Sequence, residues 1–161
     1  MDGCTSNVYL SAMIVKDLKM ASDFFVKKLG FLLHNEIDFK SPKAERTMFG
    51  LPHHLADQTN VKLQIIGPED NRDGLMDLIE LEGIVGENFS ANILPANKGI
   101  LCYRFPVENL ANYRKHLILN EVEIHSTFSG LTLVGIGKVN IFSVISPDGV
   151  RLEFYENVDS T

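Results

Sequence analysis

The chain has 161 residues, about the length of one ordinary domain, and its 45% hydrophobic and 22% charged residues exclude a disordered chain, a collagen and a coiled-coil rod. Twenty-one acidic residues against fifteen basic ones give a net charge of −6, the wrong sign for a nucleic-acid surface. No apolar run approaches the roughly eighteen residues of a membrane span, so neither nucleic acid nor membrane is an expected partner.

The first residues, Met1 to Asn7, have no basic region and no apolar core, so they do not read as a secretory signal. The two cysteines, Cys4 and Cys102, are far apart in the chain, and a reducing cytoplasm fits them best.

Val8 to Val15 is apolar and β-rich, which predicts a strand. Asp17 offers a helix cap, and Leu18, Ala21 and Phe25 follow at helical spacing. Gly30 stops that helix, and Phe31 to Phe39 resumes as a strand. Pro42 to Gly50 predicts a short inserted helix, with a strand over Arg46 to Leu51 as the competing reading. His53 and His54 fall in a loop, where neighbours point apart and cannot easily share an ion. A turn over Pro68 to Gly74 leads into a closing strand, Met76-Asp77-Leu78-Ile79-Glu80. Residues 83–98 hold glycine, asparagine and proline and read as a linking loop.

The pattern then repeats. Gly99 opens a strand through Phe105, and Asn109 caps a helix with Leu110, Tyr113 and Leu117 on one face. Asn120 stops it, and Val122 to His125 resumes as a strand. Phe128 to Gly137 reads as strand and hairpin rather than a phosphate loop, since no helix follows. Ser146-Pro147-Asp148-Gly149 turns into the closing strand Leu152-Glu153-Phe154-Tyr155-Glu156. The expected fold is α+β: two βαβββ modules, about 8–82 and 99–156, in a single domain spanning 1–161.

Three stretches carry a family resemblance: Ile14-Val15-Lys16-Asp17-Leu18, Phe24 to Phe31, and Ser146 to Glu156. With the internal duplication, they make the chain resemble the vicinal oxygen chelate superfamily, which includes glyoxalase I, bleomycin-resistance proteins and extradiol dioxygenases. The resemblance implies a curved, open mixed-sheet barrel around a cavity. It also implies a divalent metal held by first-strand and last-strand residues of each half. Counting back from Val15 and Val107 by the family's offset lands on Leu10 and Cys102. The acids of the closing strands are Asp77 and Glu153.

Strand alternation agrees with these placements. Leu152 and Phe154 belong on the packed face, so Glu153 and Tyr155 face the other way. By the same rule Met76 and Leu78 face the core, and Asp77 and Ile79 the cavity. Tyr103, Phe105 and Val107 pack, leaving Cys102 and Arg104 to face the cavity. In the first half Leu10 and Ile14 share that parity, and Ile14 reads as the apolar counterpart of Arg104.

The implied metal set is incomplete, because Leu10 has no donor atom. No metal and no other cofactor is therefore expected. Asp77 and Glu153 are the candidate catalytic acids, as bases whose proton affinity an apolar cavity would raise. Arg104, Cys102, Leu10 and Tyr155 are the candidate ligand-binding residues. Arg104 is either an anchor for an anion or the partner of Asp77 or Glu153. Cys102 reads first as a small buried hydrophobe. His34 and His125 are substitute donors only if their strands line the cavity, and His116 lies on a helix face.

The expected function is binding of a small organic, anionic molecule in the cavity. The alternative is a metal-dependent glyoxalase-like lyase, isomerase or dioxygenase. The expected assembly is a homodimer, because proteins of the resembled fold often pair and exposed strand edges invite it.

Overall fold

The computed structural model describes residues 8–40, 48–56, 59–68, 74–88 and 98–158. It divides into two compact units, Met1–Glu87 and Asn88–Thr161. Each holds one four-stranded mixed sheet that does not close on itself. The order is β1-β4-β3-β2 in the first unit and β5-β8-β7-β6 in the second.

In the first unit the strands are β1 (Leu10–Ile14), β2 (Leu32–Lys40), β3 (Asn60–Gly67) and β4 (Leu75–Glu82). β1 runs parallel to β4, and the remaining pairs are antiparallel. A parallel pair needs a crossover, and helix α1 (Leu18–Ser22) supplies it. Asp17 caps α1 as expected, its Oδ1 accepting from the Met20 N–H at 2.8 Å. Glu80 adds a cap from β4, its Oε2 accepting from the Leu18 N–H at 2.8 Å.

The helix does not keep its α winding. Asp23–Lys28 is a π-helix, closed by the Leu29 N–H donating to the Phe24 carbonyl at 3.0 Å. Phe24 and Phe25 are both buried there, with rings edge to face at 5.3 Å. Gly30, at φ 80°, ends the segment as the sequence predicts.

Residues 42–47 of the expected inserted helix lie outside the described residues. Met48–Gly50 is a single 3-10 turn, with Phe49 left-handed at φ 61°, so the competing strand reading does not hold there. His53 and His54 are not in a loop. They open a one-turn helix, α2 (His53–Ala56), closed by the Ala56 N–H donating to the Pro52 carbonyl.

The second unit repeats the plan with β5 (Tyr103–Pro106), α3 (Leu110–Leu119), β6 (Ser126–Leu133), β7 (Gly137–Ile145) and β8 (Arg151–Asn157). β5 and β8 are parallel, and β6-β7 and β7-β8 are antiparallel. β5 is shorter than the predicted strand, since residues 99–102 precede it. β6 begins after His125, not at Val122, because the Val122 N–H still closes the end of α3 on the Leu117 carbonyl. Asn109 caps α3 as expected, accepting from the Asn112 N–H at 2.9 Å. The turn at Ser146 is closed by the Gly149 N–H, 2.9 Å from the Ser146 carbonyl.

Each sheet packs its helix on one face. In the second unit, Tyr113 of α3 meets Phe154 edge to face at 4.9 Å, and Phe154 stacks on Phe105 at 5.7 Å. Leu152 and Phe154 are buried there, as alternation requires. In the first unit, Met76 and Leu78 play that part. The helix-free face of the first sheet is also apolar, with Val61, Leu63 and Ile79 buried together.

Candidate functional site

On the helix-free face of the second sheet, strand register lines up a polar row. Arg104 of β5 lies opposite Glu153 of β8, Glu153 opposite Ser143 of β7, and Ser143 opposite Ser126 of β6. Cross-strand neighbours on one face are close enough to bond, and two of these pairs, Arg104–Glu153 and Ser143–Ser126, do. Arg104 donates from Nε and Nη2 to Glu153 Oε2, at 2.8 and 2.6 Å. Arg151 donates from Nε to Glu153 Oε1 at 3.1 Å, and from Nη2 to Ser126 Oγ at 3.1 Å. The Ser126 and Ser143 hydroxyls are 2.6 Å apart.

Glu153 is only 8% exposed, and Ser143 is fully buried. A buried carboxylate needs a charge partner, and here it has two. The cluster of two guanidiniums and one carboxylate carries a net positive charge. Next to it is a cavity of about 60 Å³, walled by Phe128, Leu131 and Ile141 as well as the polar row. That is room for a headgroup or a few waters rather than a whole drug-sized ligand.

Cys102 lies just before β5, on the parity of Arg104. Burial pushes its thiol up from the ordinary range, and the Glu153 charge and a hydrogen bond to Glu153 add to this. The thiol is therefore protonated at neutral pH, which disfavours nucleophilic chemistry. The Glu153 pairing raises the Arg104 guanidinium, against a smaller opposing effect of burial. Tyr155 lies one pleat further along β8, opposite Pro106 and Ile141, and does not line the cavity.

Leu10 and Asp77 belong to the first unit. Leu10 pairs with Leu75, and Asp77 lies opposite Ala12 and Ile65. Asp77 is half-buried, and its Oδ1 is buried without a hydrogen-bond partner. Desolvation raises the proton affinity of this carboxyl above its ordinary value. The register corrects the counterpart of Arg104: the residue opposite the closing-strand acid in the first sheet is Ala12, not Ile14. Ile14 is 62% exposed at the strand end.

Arg151, Ser126 and Ser143 escaped the sequence reading. Arg151 was within reach, because it shares the parity of Glu153 and Tyr155 on one strand. The serines were not, because their place depends on the register of β6 and β7. His34, His54 and His125 are exposed, and His116 stacks on Tyr113 at 6.2 Å. Among the described residues, no group of three or more His, Cys, Asp or Glu side chains converges as metal ligands would. Nor is any helix among them long and apolar enough to cross a membrane.

No family profile matches the chain, and no curated protein does. Solved structures do match. A glyoxalase family protein from Bacillus cereus superposes with a TM-score of 0.70 at 14% identity, covering 96% of each chain. A glyoxylase/bleomycin resistance protein/dioxygenase domain from Frankia gives 0.59 at 13% identity, covering 99% of this chain and 96% of that one. The trypanothione-dependent glyoxalase I of Leishmania major gives 0.58 at 14% identity, covering 94% and 87%. At such identity the likeness shows fold and not activity. The chain has the α+β fold of the glyoxalase, bleomycin-resistance and dioxygenase proteins, consistent with the vicinal oxygen chelate superfamily that its sequence resembles.

Proposed function

We propose that this glyoxalase-like protein binds a small organic anion at the Arg104–Glu153–Arg151 cluster, without a metal. The observation that carries this is charge. One buried carboxylate is shared by two guanidiniums, beside a small cavity with an apolar wall. Glu153 fixes both planes, and Ser126 holds Arg151 from the other side. A ligand carboxylate would meet preset N–H donors and serine hydroxyls, while its apolar body lies on Phe128 and Leu131. In this reading Arg104 and Arg151 anchor the ligand and Glu153 positions them. Cys102 and Tyr155 lie outside the cavity wall and act on the site through Arg104.

The residues at the resembled metal positions do not fit an ion. Leu10 has no donor, and Glu153 already accepts from two arginines. Asp77 is the acid left for proton transfer in the first unit, and Leu10 belongs to the apolar surface near it.

A thermal-shift screen of small carboxylates on the parent, Arg104→Met and Arg151→Met tests the proposal. Stabilisation of the parent that both variants lose supports it. Equal stabilisation of all three, or none, contradicts it. Elemental analysis of untagged protein tests the metal: stoichiometric zinc, nickel or iron that disappears in Glu153→Ala contradicts the metal-free reading.

A homodimer is part of the same proposal. Each sheet has two outer strands, and the outer strand β2 exposes Leu32, Leu33 and Ile37. Placement in the cytoplasm rests on the free Cys102 and on the sparse cysteine usage.

A further inference from the structure

We propose that a groove on the helix-bearing face of the first sheet binds a linear diamine or polyamine. The groove is lined by residues of the first unit alone, whereas the anion cluster is built from residues of the second, so the inference does not depend on that reading. It has a volume of about 400 Å³, within the range of small-molecule sites. Its walls come from α1 and the π-helix on one side, and from β2, β3 and β4 on the other.

Charge selects the ligand. Asp17, Asp23, Glu36, Asp38 and Glu80 line the groove, against Lys19 and Lys62. Both lysines are already engaged, Lys19 by Asp23 at 2.9 Å and Lys62 by Glu82. Asp23 is itself held by Lys19 and Lys27, but the other acids leave the lining net negative, and it repels an anion.

The second observation is independent of charge. Gln64, which lines the groove from β3, is only 8% exposed, and its Oε1 has no hydrogen-bond partner. A buried acceptor without a donor is costly, and a native structure rarely keeps one. An ammonium group in the groove would supply the missing donor.

The same lining argues against a single metal ion. A hard cation needs several oxygens converging on one point. Among the described residues, no group of three or more acids, His or Cys is arranged that way. Dispersed carboxylates suit a cation whose charge is dispersed too. Glu36 lies directly opposite Gln64, and Asp38 lies opposite Lys62. Glu36 and Asp38 are two residues apart on one face of β2, about 7 Å along the strand. One ammonium at Gln64 and Glu36, and a second near Asp38, gives the spacing of a short aliphatic diamine.

Spermidine is the probe, titrated into the full chain and followed by NMR. Sodium chloride and magnesium chloride at matched ionic strength are the controls. The expected result is saturable binding that shifts the Gln64 side-chain amide signals, with neither salt reproducing it. Gln64→Met should weaken binding about tenfold, the value of one charged hydrogen bond. Glu36→Gln, an exposed change that leaves the fold intact, should weaken it several-fold. If salt alone reproduces the shifts, or if Glu36→Gln binds like the parent, the proposal is wrong. Should Gln64→Met not fold, the amide shift in the parent and the Glu36→Gln affinity decide the matter.

Discussion

Glu153 accepts three hydrogen bonds from two arginines, so neutralising it leaves both cations without their counter-charge. Glu153→Gln should cost about 2–3 kcal/mol in urea unfolding, the scale of hydrogen bonds to a buried charged group. Arg104→Met should cost less, because Arg151 still meets the carboxylate. Asp77 behaves in the opposite sense. Desolvation lifts its folded proton affinity above the ordinary value of 3.8, so the folded state binds more protons than the unfolded one in that window. Stability therefore falls as pH rises from the unfolded value through the folded one. Asp77→Asn should melt at a higher temperature than the parent at pH 7, and the gain should vanish below about pH 4. A melting series across pH checks this, and a gain that persists in acid would contradict it. Strand parity was enough to find Arg104, Glu153 and Asp77 in the sequence. It could not show the serines that extend the cluster, because Ser126 meets Arg151, and Ser143 meets Ser126, only through the long-range register of β6 and β7.

At the level of elements, the end of α3 combines local rules with one violation. The Val122 N–H donates to the Leu117 carbonyl at 2.9 Å, and the Glu121 N–H to the Ile118 carbonyl at 3.0 Å. This is the two-bond stop in which the residue after the cap is left-handed and is usually glycine. Here it is Glu121, at φ 58°. Glu121→Gly should raise stability by up to about 1 kcal/mol, because glycine adopts this conformation without the Cβ clash. Chemical denaturation measures it, and a loss of stability would mean that the Glu121 side chain offsets its strain. The sequence showed both helix caps, Asp17 and Asn109, because a cap is a local event. It did not show the π-helix at Asp23–Lys28, since burial of Phe24 and Phe25 together is set by the sheet beneath. The later start of β6 follows from the stop of α3: the Val122 N–H is still bonded back to the Leu117 carbonyl, and contact with β7 begins at the His125 N–H, on the Ser143 carbonyl.

For the molecule as a whole, duplication was legible because each unit repeats strand, capped helix and three strands, ending on an acid at an equivalent place. The two helix-free faces nevertheless diverged. Ala12 faces Asp77 in one sheet, and Arg104 faces Glu153 in the other. Among the described residues, the first face is apolar around the Asp77 carboxyl, and the second is a charged row. A homodimer should appear in light scattering as twice the 18.0 kDa chain mass at micromolar concentration, and a persistent 18.0 kDa species would contradict it. The most direct measurement of the central claim is NMR of the arginine Nε–H groups during titration with a small aromatic carboxylate such as benzoate. Saturable shifts of Arg104 and Arg151 together, lost when either is changed to Met, are the predicted result. Arginine signals that stay fixed while the ligand binds elsewhere, or while no small carboxylate binds at all, would contradict it.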